Sequence, residues 1–196
     1  MAAAHQRFHA LHLLIRGETG GKESHNMRMG QQPARVAVSV EPFHGSRSGS
    51  RSELLPLFAQ ADDSAAEINS YIGLGEVLVA RRARRIVGHL QLIAAGSDWE
   101  IKSVAVIEKQ RGQGIGSALV HAALDRAFGA GASRVLAATA TADIDNLRFY
   151  QRLGFRMERV ERDAFGPDRG YPHLDVDGIP VRDRVWFSID VTGRRV

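Results

Sequence analysis

Hydrophobic spacing becomes regular only beyond residue 33. The stretch ARVAVSVE, residues 34–41, alternates and predicts a strand, because side chains two apart share one face of a pleated ribbon. Leu54, Leu55, Leu57 and Phe58 then follow a helical period, with Pro56 tolerated in a first turn that needs no amide hydrogen. DDSAAEINSYI, residues 62–72, predicts a second short helix opened by an aspartate cap. Residues 76–96 read as two antiparallel strands around a basic turn, and WEIKSVAVI, residues 99–107, as a more buried strand. A helix over about 115–129, a strand at 134–140, a helix at 143–153 stopped by Gly154, and a strand at 155–164 follow. A long segment punctuated by Pro167, Gly170, Pro172, Gly178 and Pro180 leads to a last strand at 184–191.

This order, strands first and then strand–helix–strand–helix–strand, predicts one α/β (α+β) domain over residues 34–196. Its mixed sheet carries helices on both faces. The strand at 134–140 is expected to lie parallel to the one before the central helix, through a right-handed crossover. Residues 1–33, rich in Gly, His, Gln and Met, read as a flexible extension. His5, His9 and His12 would share a face only if that extension were helical, so no metal site is assigned; Met27 and Met29 are alternative starts. No apolar run approaches the roughly 20 residues that span a bilayer. The expectation is a cytoplasmic protein without a membrane partner.

Composition changes the picture in two places. Cysteine is absent, which excludes disulfides, thiolate metal sites and a thiol nucleophile. The formal net charge of +4 leans weakly toward a polyanionic ligand. The arginine run RRARR, residues 81–85, could touch nucleic acid or the adenosine end of a cofactor, but a solvated turn explains it as well. No aromatic residues interleave it, so no nucleic-acid partner is expected.

Candidate chemistry begins at Gly112, Gly114 and Gly116, between a buried strand and a helix. Such a junction gathers free N–H groups and the positive end of a helix dipole, a natural seat for phosphate. Arg111 adds charge and a fork of donors. Neither the dinucleotide fingerprint nor the Walker pattern fits the spacing. A tight turn that binds nothing would satisfy the same residues. A second constellation lies in NLRFYQRLGF, where Asn146 and Tyr150 are four apart on one helix face and Phe149 and Leu153 take a neighbouring, packing face.

Together, Arg-x-x-Gly-x-Gly at residues 111–116 and Asn-x-x-x-Tyr followed by Gly-Phe at residues 146–155 resemble the GNAT superfamily of acetyl-CoA-dependent N-acetyltransferases. The resemblance covers roughly residues 34–190. It implies a mostly antiparallel mixed sheet with one parallel, splayed strand pair. Further, it implies that Arg111, Gly112, Gln113, Gly114, Ile115 and Gly116 hold the pyrophosphate of CoA. Val104, Ala105 and Val106 would pair with the pantetheine arm as an added strand, the Val106 N–H polarising the thioester carbonyl. Asn146 would steady the cofactor, and Tyr150 would protonate the departing thiolate.

Glu100 is the first choice of general base, with His89 as runner-up on the preceding strand. No metal is implied. Asp62, Asp63, Glu67, Asp163, Asp168, Asp175, Asp177 and Asp183 lie where the resemblance places the acceptor, and clustered carboxylates would suit a cationic amine. The expected reaction is direct transfer, in a ternary complex, to the primary amine of a small molecule. A protein lysine or N-terminus is the alternative acceptor, and a non-catalytic acyl-CoA sensor the alternative of another class. Many relatives dimerise, so a homodimer is compatible with the sequence, though no interface can be assigned.

Overall fold

The computed structural model of the chain describes residues 37–45, 50–171 and 173–193. The extension at 1–33, with its histidines and alternative starts, lies outside the described residues. In chain order the strands are β1 (Val38–Pro42), β2 (Glu76–Arg82), β3 (Arg85–Ala95), β4 (Asp98–Val106), β5 (Arg134–Ala140), β6 (Arg156–Glu161), β7 (Asp175–Val176), β8 (Ile179–Pro180) and β9 (Arg184–Asp190). The helices are α1 (Leu55–Ala61), α2 (Ala65–Tyr71), α3 (Ile115–Gly129) and α4 (Ile144–Arg152). Seven strands form one sheet in the order β1-β2-β3-β4-β5-β9-β6, and β7 and β8 make a separate hairpin. Among the described residues only the β4–β5 neighbours run parallel.

Helices cover both faces. The run Val77, Leu78, Val79, Ala80 in β2 is buried throughout because its residues divide between two cores. Val77 and Val79 pack with Leu57, Phe58, Ile68 and Tyr71 of α1 and α2. Leu78 and Ala80 join Ile115, Leu119, Val120 and Phe149 of α3 and α4. On α3 the buried positions 115, 119, 120, 123, 124 and 127 repeat at the helical period, which is why a single stripe suffices to seat it.

Two irregularities in β4 shape the centre of the sheet. Its pairing with β3 passes from Gln91↔Ser103 to Leu92↔Ile101, so Lys102 is an extra residue with no opposite number, a bulge. Its parallel pairing with β5 begins at Asp98↔Arg134 and stops at Ile101↔Ala137. Beyond that point β5 stays with β9 as far as Ala140↔Arg184, while β4 follows β3 to Gly88↔Val106. The two strands therefore part into a V that opens at their C-terminal ends.

The structure departs from the sequence expectations locally. The aspartate cap expected for α2 is a serine cap: the Ser64 hydroxyl accepts the Glu67 N–H (3.3 Å), and Asp62 instead accepts the Ser64 N–H (2.9 Å) from a buried position. The proline-rich segment before the last strand holds the short β7–β8 hairpin, turning through Asp177 and Gly178, both at positive φ. Position in the sheet was also not evident from the pattern, because β9 enters between β5 and β6. Of the four residues on the first helical period, Leu54, Leu57 and Phe58 are buried and Leu55 is exposed.

Phe58 lies fully buried against the rings of Tyr71 (6.0 Å between centroids) and His89 (4.3 Å). Truncating it opens a cavity between α1 and the sheet. Phe58→Ala is expected to cost about 3–5 kcal/mol, read from the midpoint of urea unfolding.

Candidate active site

The V between β4 and β5 leaves main-chain groups facing the gap. The Ile107 N–H donates to Val87 on β3 (2.9 Å), and amide directions alternate along a strand, so Val104 and Val106 turn their N–H and C=O groups to the open side. Ala105 pairs opposite His89 and buries its side chain under α1 and α2. At the mouth of the V lies a cleft of about 400 Å³ bounded by Val106, the glycine turn and one flank each of α3 and α4.

The turn has the torsions its glycines suggest, at two of the three positions. Gly112 (φ 70°) and Gly114 (φ 79°) are left-handed, a region that costs an L-residue roughly 1–2 kcal/mol. No atom lies within 4 Å of where a Cβ would stand at either, so torsion and not crowding selects glycine. Gly116 has no positive φ and sits inside the first turn of α3. Gly114 is the N-cap of α3 and no side chain caps that end. Its first amides are left for another acceptor, and Ile115, Gly116 and Ser117 line the cleft.

Arginines brace this turn. Arg111 donates from Nε to the Val106 carbonyl (2.9 Å) and from its terminal nitrogen to Gln60 of α1 (3.3 Å). It thereby ties the end of β4 to the helix above it, in addition to bringing charge. Arg82, from the arginine run, donates to the side chains of Gln110 and Gln113. Arg81 pairs with Glu41 (2.6 Å), and Arg84 and Arg85 are exposed. The run is thus a hairpin turn whose inner member supports the glycine turn.

On α4 Phe149 and Leu153 pack against the core as expected, and they also line the cleft. Asn146 and Tyr150 are fully buried, and neither lines the cleft. Asn146 donates to Asp143 (2.8 Å) and Thr139 (3.4 Å), and its main-chain N–H donates to the same Asp143 carboxylate, the helix cap. The cleft does not reach Asn146. Tyr150 packs among Phe149, Phe155 and Phe187 at 5.3–5.4 Å. Burial, reinforced by the charges of Asp143 and Glu100, pushes its phenol well above the ordinary range, so it stays protonated at neutral pH.

Glu100 is no edge carboxylate. It is buried on β4, beside Lys102 (Nζ to Oε1, 3.9 Å), and burial pushes it up to about 7 against the opposing pull of Lys102, Arg184 and Arg159. A carboxyl near neutral can both take and release a proton under working conditions. Burial in turn brings Lys102 down to about 8. Asp62 is raised to about 6 by burial and accepts from the Tyr71 hydroxyl (3.3 Å). Asp163 and Asp183 instead order their own loop: Asp163 pairs with Arg182 (2.6 Å) and its N–H donates to Asp183 (2.8 Å).

His89, the runner-up base, is fully buried under Phe58, with Nε2 2.9 Å from the Ser103 hydroxyl; burial lowers it to about 3. A base so weak is poorly matched to neutral chemistry.

Sequence reasoning missed Ser117, His121, Asp145, Arg148, Arg152 and Lys102. Helical spacing carried a signal for the first five: Ser117 and His121 are four apart on α3, as are Arg148 and Arg152 on α4, and all five border the cleft. Lys102 follows Glu100 by two on a strand, the spacing of one face.

A thioester arm laid in a strand gap, with its diphosphate on an uncapped helix end, is the arrangement of a CoA-dependent acyltransferase. The sequence profile of the acetyltransferase (GNAT) family matches residues 50–155. The uncharacterized N-acetyltransferase YvbK of Bacillus subtilis is 30% identical over 168 residues, spanning 83% of this chain and 100% of the relative. A Bacillus subtilis acetyltransferase solved in complex with CoA is 27% identical, with a TM-score of 0.71 over 79% of this chain and 99% of that one. A GNAT family acetyltransferase from Elizabethkingia anophelis with acetyl-CoA bound is 25% identical, with a TM-score of 0.70 over 78% of this chain and 97% of that one. The chain belongs to the GNAT acetyltransferase family. It is an acetyl-CoA-dependent acyltransferase. Among the described residues no helix is long and apolar enough to cross a membrane.

The buried imidazole makes stability depend on pH. His89 is near 3 when folded and near 6.5 when unfolded, so below pH 6.5 the unfolded chain binds the extra proton. Folding free energy from this group is fully present above pH 6.5 and falls as pH drops toward 3. Glu100, raised when folded, acts in the opposite sense between 4.5 and 7. Comparing urea unfolding of wild type and His89→Gln isolates the imidazole: between pH 6.5 and 4 the wild type should lose roughly a few kcal/mol more than the variant.

Proposed function

We propose that the protein transfers the acetyl group of acetyl-CoA to the primary amine of a small molecule, by direct attack in a ternary complex. The observation that carries this reading is the parting of β4 and β5 beyond Ile101 and Ala137, with the glycine turn at its mouth. In this reading the amides of residues 112–117 take the pyrophosphate, and the open-side groups of Val104 pair with the pantetheine amides, the Val106 carbonyl being engaged by Arg111. The arginines of α4 border the same cleft and favour the remaining phosphate charge. Acetyl-CoA supplies the activated acyl group.

The chain's own residues do the rest. Glu100 takes the proton that the ammonium must lose before it can attack, directly or through a water. The Val106 N–H polarises the carbonyl under attack. Tyr150, held protonated, gives its proton to the departing sulfur. Direct transfer is favoured because the chain has no cysteine to carry an acyl group. Asn146 acts through the cap of α4 in this reading, holding the helix that positions Tyr150.

A small acceptor is favoured over a protein chain because the segment before β9 comes up against the N-cap of α2. Tyr171 is buried there, and a Cβ on Gly170 would stand 3.5 Å from the Ser64 hydroxyl. Asp62 and Glu67 add negative charge on that side.

The test is thiol release from acetyl-CoA against a panel of amines, aminoglycosides, polyamines and peptides. Turnover should be confined to small amines, and Tyr150→Phe should lower kcat by ~10²-fold or more while calorimetric CoA affinity changes little. Peptide-only turnover would overturn the acceptor class, and full activity in Tyr150→Phe would remove the phenol from the mechanism.

A further inference from the structure

We infer that Lys102 is a positioning residue of the acceptor site, its ammonium drawing the Glu100 side chain toward the ionised form. The inference rests on Glu100 serving as the base. Three features meet at this one residue. Lys102 is the unopposed member of the β4 bulge. It is also the first residue past the last β4–β5 pair, and so stands at the fork of the V. Its Nζ lies 3.9 Å from Glu100 Oε1 and 5.0 Å from the centre of the Tyr71 ring, with both charged side chains almost wholly shielded from solvent.

The bulge is what brings the pair together with its surroundings. In a regular strand Lys102 and Ser103 would face opposite sides. Here Lys102 reaches Tyr71 of α2 and Ser103 reaches His89 under α1, so both face the same helical layer. Burying an ammonium there is costly, and replacing a buried ion pair by apolar side chains of similar size is often neutral or stabilising. Packing and stability therefore give little reason for a lysine at 102. A reason appears once Glu100 must lose its proton near neutral pH. Burial alone favours the protonated acid; a cation within 4 Å favours the carboxylate.

Other charges act on the pair from β9, β6 and the start of α2, Arg184 on both members. Arg184 on β9 and Arg159 on β6 act on Glu100, Asp62 before α2 and Glu67 on α2 act on Lys102, and Tyr150 of α4 feels the Glu100 charge. Tyr171, from the segment before β9, shares the field of Asp62, Glu67 and Arg184. Lys102 is the largest favourable influence on Glu100 among them. Because the two protons are shared between interacting sites, the pair titrates as a unit, and losing the lysine charge raises the pH at which Glu100 ionises.

The direct test needs no acceptor. Carbon-13 NMR of glutamate carboxyls in the full chain follows the Glu100 signal, identified by its loss in Glu100→Gln. In Lys102→Met the Glu100 midpoint should rise by about one pH unit or more, and Lys102→Arg should bring it back toward wild type. An unchanged midpoint in folded Lys102→Met overturns the inference; if that variant does not fold, Lys102→Gln carries the same comparison. Kinetics then separate this inference from the role of Glu100. With an amine that turns over in the thiol-release assay, the acid limb of kcat/KM should move with the midpoint, giving ~5-fold loss or more at pH 7 that recovers at high pH. A shifted midpoint with an unmoved limb would support the electrostatic pairing and refute Glu100 as the base.

Discussion

The parting of β4 from β5 is the constraint on which the rest of the molecule depends. A parallel pair normally satisfies its main chain along its whole length. Here pairing ends at Ile101 and Ala137, and each strand is retained by its outer neighbour alone. Unpaired amides inside a protein are costly unless something else bonds them. The gap at Val104 and Val106 is thus held open by the rigidity of two flanking ladders, and it suits a ligand that can offer amides of its own. The bulge at Lys102 turns the strand at the point where the separation begins.

Both helix layers take their positions from that gap. On one side α3 brings an uncapped N-terminus to the cleft at its mouth, and α4 lines that cleft with Arg148, Phe149 and Arg152 while Tyr150 is buried in the core. On the other, α1 and α2 roof the far face of β4, so that Glu100 and Lys102 meet under cover and not in water. Burial is the common cause of every large ionisation change in this region. It raises Glu100 and Asp62, lowers Lys102 and His89, and holds the tyrosines protonated. The same desolvation that brings the Glu100 carboxyl close to neutral takes the His89 imidazole far below it.

The bracing around the glycine turn shows how a flexible motif is kept in place. Two left-handed glycines give the turn its path but no stiffness. Arg111 fastens it from below through the Val106 carbonyl, and Arg82 from the side through two glutamines. These side chains come from a distant hairpin and from the turn itself. Together they convert a loop with many conformations into a preformed seat, which lowers the ordering cost of binding.

Much of this was legible without a structure. Period-two and helical spacing located the main strands and helices, because a side chain's face follows from its position along a regular element. The residues 111–116 and 146–155 identified the family, and the absence of cysteine narrowed the chemistry. What spacing could not convey was which face met what. Asn146 and Tyr150 share a face, as expected, but that face is wholly buried and only the neighbouring face, with Phe149, reaches the cleft. The placing of β9 between β5 and β6, the exchange of an aspartate cap for Ser64, and the burial of Glu100 beside Lys102 arise from contacts between segments far apart in the chain. Local sequence determines periodicity, turns and motifs, since these depend on neighbours a few residues away. Burial, and with it the ionisation of each candidate group, is decided only when distant segments close over one another and exclude water.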